Sequence, residues 1–436
     1  MTDTPHGSLT VISSHVTDTP VKPSATFPMT YGETAQQAAS SVKRSLKGNV
    51  RIASPKDFRE TFLPVRDDNN LDRALLKVKQ EFYDNDQSRW KDFPTGKNES
   101  EFYLPFQKIA EAVNKASRGF AMENAIHTTW LDRHSKVPET KSKDAAAIRP
   151  DIVQVSVSTR KDFDELDEQI KQSRTNKENE LKIWWMHIHT VVEIKSTPQD
   201  SEKLHDTIIQ LCSYIRQLFR EQLDRRFAIA LLLCGNELTL WYCDRVGLVG
   251  TIDPINIHAN PDEFMEILAA FSILPADKLG WDPTMKLYRG KGKDVSPSYL
   301  VSQAPNTGLN GLNWCISMPD MSGEGGRSRE EFVTVRAITT LVFQHMCSRA
   351  SIVWEVVKRE DYENCNSGAS VFVLKQAWQP SPTSVDGDDD DNDNNNVHDA
   401  EDYDGKNIDD DGVDEVKMHI IGKFCIHEFL SGHLGG

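Results

Sequence analysis

Three side chains in this sequence have the types and spacing to work together on a phosphate ester. "RPD" ends at Asp151, and "HTVVEIKS" sets Glu193 and Lys195 two residues apart in an otherwise apolar run. Two carboxylates, helped by a carbonyl or water, can hold Mg²⁺. The ion polarises a phosphate and lowers the pKa of a bound water. A nearby ammonium can orient that water and offset the charge that develops at phosphorus. Asp151 and Glu193 are therefore candidate metal ligands, and Lys195 is the candidate catalytic residue. Gln210 follows on a helix, and Glu101 or Glu111 precedes on another. A plainer account of the same residues is a salt bridge, Glu193 with Lys195 or Arg149, that only closes a sheet.

Strands and helices must hold these groups in place. "RPDIVQVSVS" alternates Val153, Val155 and Val157, which predicts a strand starting near Asp151. "IWWMHIHTVVEIK" reads as a central strand. Its even positions from Trp184 to Ile194 make an apolar face, and His187, His189, Glu193 and Lys195 share the other. Residues two apart on a strand are about 6.6 Å apart at Cα and point the same way. His187 and His189 read as cover for a half-exposed surface rather than as ligands. "SEKLHDTIIQLCSYIRQLF" stripes Leu204, Ile208, Leu211, Ile215 and Leu218 along one helix face, with Gln210 off the stripe and Tyr214 flanking it. "EFYLPFQKIAEAVNKA" has helical spacing, and "IHTTWL" is a short strand. "RFAIALLLCGNELTLWYCD" is a hairpin turning at Gly235-Asn236. "NPDEFMEILAAFSIL" opens a helix with Asn260 as N-cap and Pro261 in the first turn. Strands alternating with helices predict an α/β (α+β) class with a mixed sheet.

The chain has 436 residues, 38% hydrophobic and 27% charged, with net charge −16. Fifteen acids against one lysine between Asp386 and Glu415 account for −14 of that, so the rest is nearly neutral. This balance leaves both nucleic-acid and protein partners open. Residues 1–80 read as mostly disordered, with a short helix near "ETAQQAASSVKRSL". Residues 81–288 are expected to form the α/β domain, with 160–181 a charged loop or solvent-facing helix. The Gly-, Ser- and Pro-rich stretch 289–326 is expected as a linker. Residues 327–380 hold three strand-like runs, and 381–436 read as an acidic disordered tail. Seven scattered cysteines without a CxxC pair suit a reduced, intracellular chain, cytoplasmic or nuclear. No secretory signal is visible, and the longest apolar run, Phe227–Cys234, suits a buried strand, so no membrane span is expected.

Other chemistry-bearing patterns fit poorly. The Asp-rich tract places neither Gly405 nor Gly412 correctly for an EF-hand. His419, Cys425, His427 and His433 match no zinc finger. "GKGK" from Gly290 to Lys293 lacks the upstream glycine and following Ser or Thr of a P-loop.

"RPD" and "EIK", on the succession αβββαβ, make residues 100–245 resemble the PD-(D/E)xK restriction-endonuclease-like superfamily. The resemblance implies an endonuclease-like core, Asp151 and Glu193 on Mg²⁺, Lys195 as catalytic lysine and Gln210 beside them. A wider resemblance covers Asn98 to Gln379. "VVEIKS…IIQLCSYIRQLFREQLDRRFAIALLLCGNELTLWYCDRVGLV", "INIHANPDEFMEILAAFSILPADKLGWDPTM" and "EEFVTVRAITTLVF…CSRASIVWEV…VFVLKQAW" are similar to the fungal-type protein kinase family. It implies ATP-dependent phosphorylation of protein, ATP and Mg²⁺ as cofactors, and Lys375 of "VFVLK" as the strand lysine on the ATP phosphates. Two departures follow. Ser348-Arg349-Ala350-Ser351 stands where the glycine-rich loop is expected. No H-R-D, D-F-G or A-P-E motif occurs, and these supply the base and a metal-binding Asp. The expectation is an incomplete, inactive kinase N-lobe, with a Mg²⁺-dependent nuclease and a non-enzymatic interaction module as alternatives.

Overall fold

The computed structural model describes residues 33–65, 68–96, 98–140, 145–156, 183–251, 253–292, 294, 313–319, 329–338, 346, 352–379 and 421–428. Residues 1–32, Val157, the 160–181 segment, most of the expected linker, Ser348–Ser351, the acidic tract and His433 lie outside them.

In chain order the elements are α1 (Ala35–Leu46), β1 (Val50–Ala53), α2 (Pro55–Phe62), α3 (Asn69–Phe82), β2 (Tyr83–Asp84), β3 (Arg89–Trp90), α4 (Ser100–Ser117), β4 (Thr128–Asp132), β5 (Ile152–Ser156) and β6 (Ile188–Lys195). There follow α5 (Ser201–Glu221), β7 (Ala228–Cys234), β8 (Glu237–Cys243), β9 (Leu248–Thr251), β10 (Ile255–Asn256) and α6 (Pro261–Ile273). The last group is β11 (Met285–Leu287), β12 (Trp314–Pro319), β13 (Arg329–Ala337), β14 (Ile352–Lys358), α7 (Arg359–Glu363), β15 (Val371–Gln379) and β16 (Ile421–Glu428).

The first sheet runs β1-β9-β8-β7-β6-β5-β4, with β10 added on β8. β6 and β7 are parallel, as are β1 and β9, and the other pairs are antiparallel. The mixed α+β class expected from the alternation is the one observed. Helices cover both faces. Phe106, Val192, Ile194, Leu231, Phe264 and Phe271 share the core on one side. Val191, Leu211, Ile215, Leu218, Ala230 and Leu232 share the core on the other. Because successive strand residues face opposite sides, both faces of β6 must be apolar, and its interior reads as a nearly continuous hydrophobic run.

That double cover corrects the expectation of a half-exposed central strand. The strand begins at Ile188, because Trp185–His187 form a 3₁₀ turn. His187 and His189 are 2% and 1% exposed, and the His189 ring stacks on Trp281 at 4.4 Å. They are core residues rather than surface cover.

Local signals behave as their chemistry dictates. Thr34 and Gln37 make a reciprocal capping box on α1. Asp200 caps α5 by accepting from the Lys203 amide at 3.0 Å. Gly235, at φ +66°, turns the β7–β8 hairpin where Cys234 faces Glu237. Pro261 opens α6, but Asn260 makes no side-chain cap bond and donates instead to the Asn256 carbonyl.

Three segment expectations change. Residues 1–80, expected as mostly disordered, contain α1, β1, α2 and most of α3, with Phe58, Leu71 and Leu75 buried in the first core. The 289–326 linker contributes β12, whose Trp314 and Ile316 are fully buried. β11 to β16 form a six-stranded antiparallel sheet in sequence order. Its inner face (Trp314, Ile316, Phe332, Ile352, Trp354, Leu374) packs with Met186 and Leu223 of the first domain. β16 comes from the expected tail and pairs with β15 from Phe372 to Gln379.

Candidate functional site

The register of β5 on β6 brings the sequence motif together. Ile152 pairs with Val192, so the antiparallel ladder continued by one residue sets Asp151 opposite Glu193. Asp151 is pinned there on both sides. Its carboxylate accepts from the Ile194 amide at 2.8 Å, and its carbonyl accepts from the Arg133 amide at 2.8 Å. Glu193 and Lys195 follow on the same face of β6. The Lys195 Nζ donates to Glu193 Oε1 at 2.7 Å.

Burial makes these charges expensive. Glu193 is 1% exposed and Asp151 7%. Desolvation raises the Glu193 carboxyl to about 8, with the nearby Asp151 charge adding to the rise and Lys195 opposing it. Desolvation likewise raises Asp151 to about 6, against the Ile194 hydrogen bond that holds it down. Burial would lower the Lys195 ammonium, but Glu193, Glu99 and Asp151 outweigh it, and the net shift is upward. Glu193 Oε2 is buried without a hydrogen-bond partner among the described residues.

The helices complete the site. From α5, Gln210 Nε2 donates to the Tyr214 hydroxyl at 2.7 Å, and that hydroxyl donates to the Arg149 carbonyl at 2.7 Å. The Tyr214 hydroxyl also lies beside Glu193, within the reach of a side-chain hydrogen bond. The Arg149-Pro150-Asp151 turn is thus tied to α5 at one end and to β6 at the other.

From α4 comes a residue that sequence reasoning missed. Glu99, at the N-cap position, lies 3.6 Å from Lys195 and accepts from the Tyr103 hydroxyl at 2.9 Å. Tyr103 sits between Glu99 and Asp151, and burial with these acids raises its hydroxyl well above the usual phenol range. The acids proposed from the sequence, Glu101 and Glu111, are elsewhere. Glu101 accepts from Asn98, and Glu111 binds the Thr129 hydroxyl and the Trp130 amide. Glu99 and Tyr103 are four apart, one helical turn, which was the available signal.

Among the described residues, no group of three or more His, Cys, Asp and Glu has metal-holding geometry. The site is therefore a pair of facing carboxylates with a lysine bridging to a third acid. It can accept a cation at the Glu193–Asp151 edge or a proton at either acid.

The second sheet holds the other candidate. Lys375 on β15 lies directly across from Val353 on β14, with Val373 two positions along on the same face. All three are half-buried. The Lys375 ammonium makes no hydrogen bond or ion pair among the described residues.

Residues 165–389 match the sequence model of a family described as "Fungal protein kinase". The chain belongs to the fungal protein kinase family. The match spans β6 to β15, so Glu193, Lys195, Gln210 and Lys375 fall inside it, whereas Glu99 and Asp151 precede it. No curated protein matches the chain. The family region thus takes in the C-terminal half of the first domain together with β11 to β15 of the second sheet, and β16 lies beyond it. Met186 and Leu223, inside the matched region, share a core with the second sheet.

Proposed function

We propose that this member of the fungal protein kinase family binds a purine nucleoside triphosphate on the outer face of β14 and β15, as part of a protein kinase. The carrying observation is Lys375, a strand ammonium with no partner among the described residues, set between Val353 and Val373. Aliphatic side chains suit the flat face of a base, and an ammonium suits the phosphates. Phosphorylation of protein is the activity the family description implies. The H-R-D and D-F-G groups that would take the hydroxyl proton and hold Mg²⁺ do not occur in these 436 residues. The grip on nucleotide is therefore the step these residues would supply.

The test is thermal unfolding with Mg-ATP. A ligand that binds only the folded chain stabilises it by about 2.7 kcal/mol at a hundred times its Kd. The melting temperature should rise in the wild type and stay put in Lys375→Met. No rise in the wild type would remove this reading.

A second reading rests on Asp151, Glu193 and Lys195, which support a PD-(D/E)xK-like nuclease site. The register and burial of the two carboxylates fit a divalent cation, because Mg²⁺ commonly takes one or two carboxylates and completes its shell with water and phosphate. Asp151 and Glu193 would hold it, and a bound ion would supply a nucleophilic water. Lys195, steered by Glu193 and Glu99, would face the phosphate and balance its charge. Plasmid nicking in Mg²⁺ or Mn²⁺ should occur in the wild type and vanish in Lys195→Ala. Nicking that persists in that variant is contamination, and its absence from the wild type leaves a structural ion pair.

A further inference from the structure

Between Lys43 and Lys56 the chain carries five cations and no acid, although its net charge is −16. Lys43, Arg44, Lys47, Arg51 and Lys56 are all exposed. Lys56 makes only a loose 3.9 Å pair with Glu60, and the other four make no ion pair among the described residues. This basic stretch runs through β1, which ends the first sheet and pairs with β9 on one edge only among the described residues.

Val50 and Ile52 on this strand are 47% and 51% exposed. They lie beside Leu248 and Gly250 of β9, and Leu248 belongs to the core under α1 and α5. Val246, in the β8–β9 turn, is 42% exposed as well. Among the described residues the sheet thus ends in two exposed apolar side chains, an unpaired main-chain edge and a basic rim.

Three occupants would use different parts of this surface. Proteins protect edge strands by placing charges on them, and Arg51 alone would serve that end. Protection does not account for two exposed β-branched residues on the same strand. A second copy joined antiparallel at β1 would bring like charges together across the ladder, which is unfavourable. Nucleic acid would use the cations but neither the apolar side chains nor the main-chain edge. An added strand uses all three, through main-chain hydrogen bonds, apolar contacts and charge complementarity.

We propose that the outer edge of β1 receives an extended acidic segment of a partner protein as an additional strand, with Glu or Asp alternating with apolar side chains. The backbone of β1 supplies the hydrogen bonds, Val50 and Ile52 take the apolar positions, and Lys47 and Arg51 with their neighbours meet the acids.

The test uses the full chain and a fluorescent eight-residue peptide alternating glutamate with valine, read by anisotropy. Two further peptides are N-methylated on the odd or the even residues. They keep the charge but lose the donors of one edge. The expected result is saturable binding that weakens with salt and is abolished by one of the two methylation patterns. Lys47→Glu with Arg51→Glu should weaken it by about tenfold or more. Amides of Val50–Ala53 in the wild type should gain protection from hydrogen exchange when the peptide is bound, a readout that needs no variant. Equal binding of both methylated peptides would show charge attraction alone and overturn the proposal. So would tighter binding of an oligothymidine at the same edge, absence of saturable binding, or unchanged exchange at β1.

Discussion

Glu193→Gln should flatten the fall of stability with rising pH. In the folded chain the Glu193 carboxyl is held at about 8, against its ordinary 4.5, chiefly by burial. Between those values the folded form keeps a proton that the unfolded chain has released, so stability drops as pH rises. The contribution is complete below the unfolded value and lost as pH passes through the folded one. At 1.36 kcal/mol per unit, the shift amounts to about 5 kcal/mol, most of which falls between pH 5 and pH 8. Solvent screening takes little from this, since the side chain is 1% exposed. Asp151, raised to about 6, works in the same direction over a lower window and is largely spent by pH 7. The glutamine amide keeps an oxygen for Lys195 but cannot ionise. Urea unfolding at pH 5, 6, 7 and 8 measures the effect. The wild-type stability should decline across the series and the variant should decline by several kcal/mol less, crossing above the wild type at the alkaline end. Parallel curves would refute the reasoning, because they would mean that Glu193 ionises in the folded state as it does in water.

Further expectations follow from the same geometry. Millimolar Mg²⁺ should raise the wild-type melting temperature more at pH 8 than at pH 6, since protons compete for the same carboxylates, and should do little in Glu193→Gln; equal shifts at both pH values would exclude the carboxylate pair as the site. Tyr214→Phe removes the hydroxyl that joins Gln210 to the Arg149 carbonyl. It should cost about 1–3 kcal/mol in urea unfolding, and an unchanged midpoint would show that the Asp151 turn stands without α5. Gly280→Ala should be more severe. Gly280 sits at φ +108°, and an added Cβ would lie 1.9 Å from the Phe227 carbonyl oxygen. A loss of about 3 kcal/mol or more is expected, against the few tenths of an ordinary surface change.

Much of this protein was legible in its sequence because the deciding physics is local. The apolar stripe of α5, the Gly235-Asn236 turn and the β-branched runs of β13, β14 and β15 each act within a few residues. Helix and strand periods announce themselves at that range. The "PD" and "ExK" fragments could be placed on neighbouring strands for the same reason.

Tertiary structure decided the rest. Whether Asp151 meets Glu193 depends on the register of β5 on β6, which is set by the fit of two cores on opposite faces of one sheet. Glu99 joins the site only because α4, packed in the core on one face of that sheet, begins beside Lys195, and its type and spacing distinguish it little from Glu101. Segment composition misled for a related reason. The polar N-terminal stretch buries Phe58, Leu71 and Leu75, and the Gly-rich stretch before β13 buries Trp314, because each borrows its partners from distant parts of the chain. Residue types set the chemistry available to this protein. Burial and register, which sequence spacing does not encode, set the charge states and the company in which that chemistry is held.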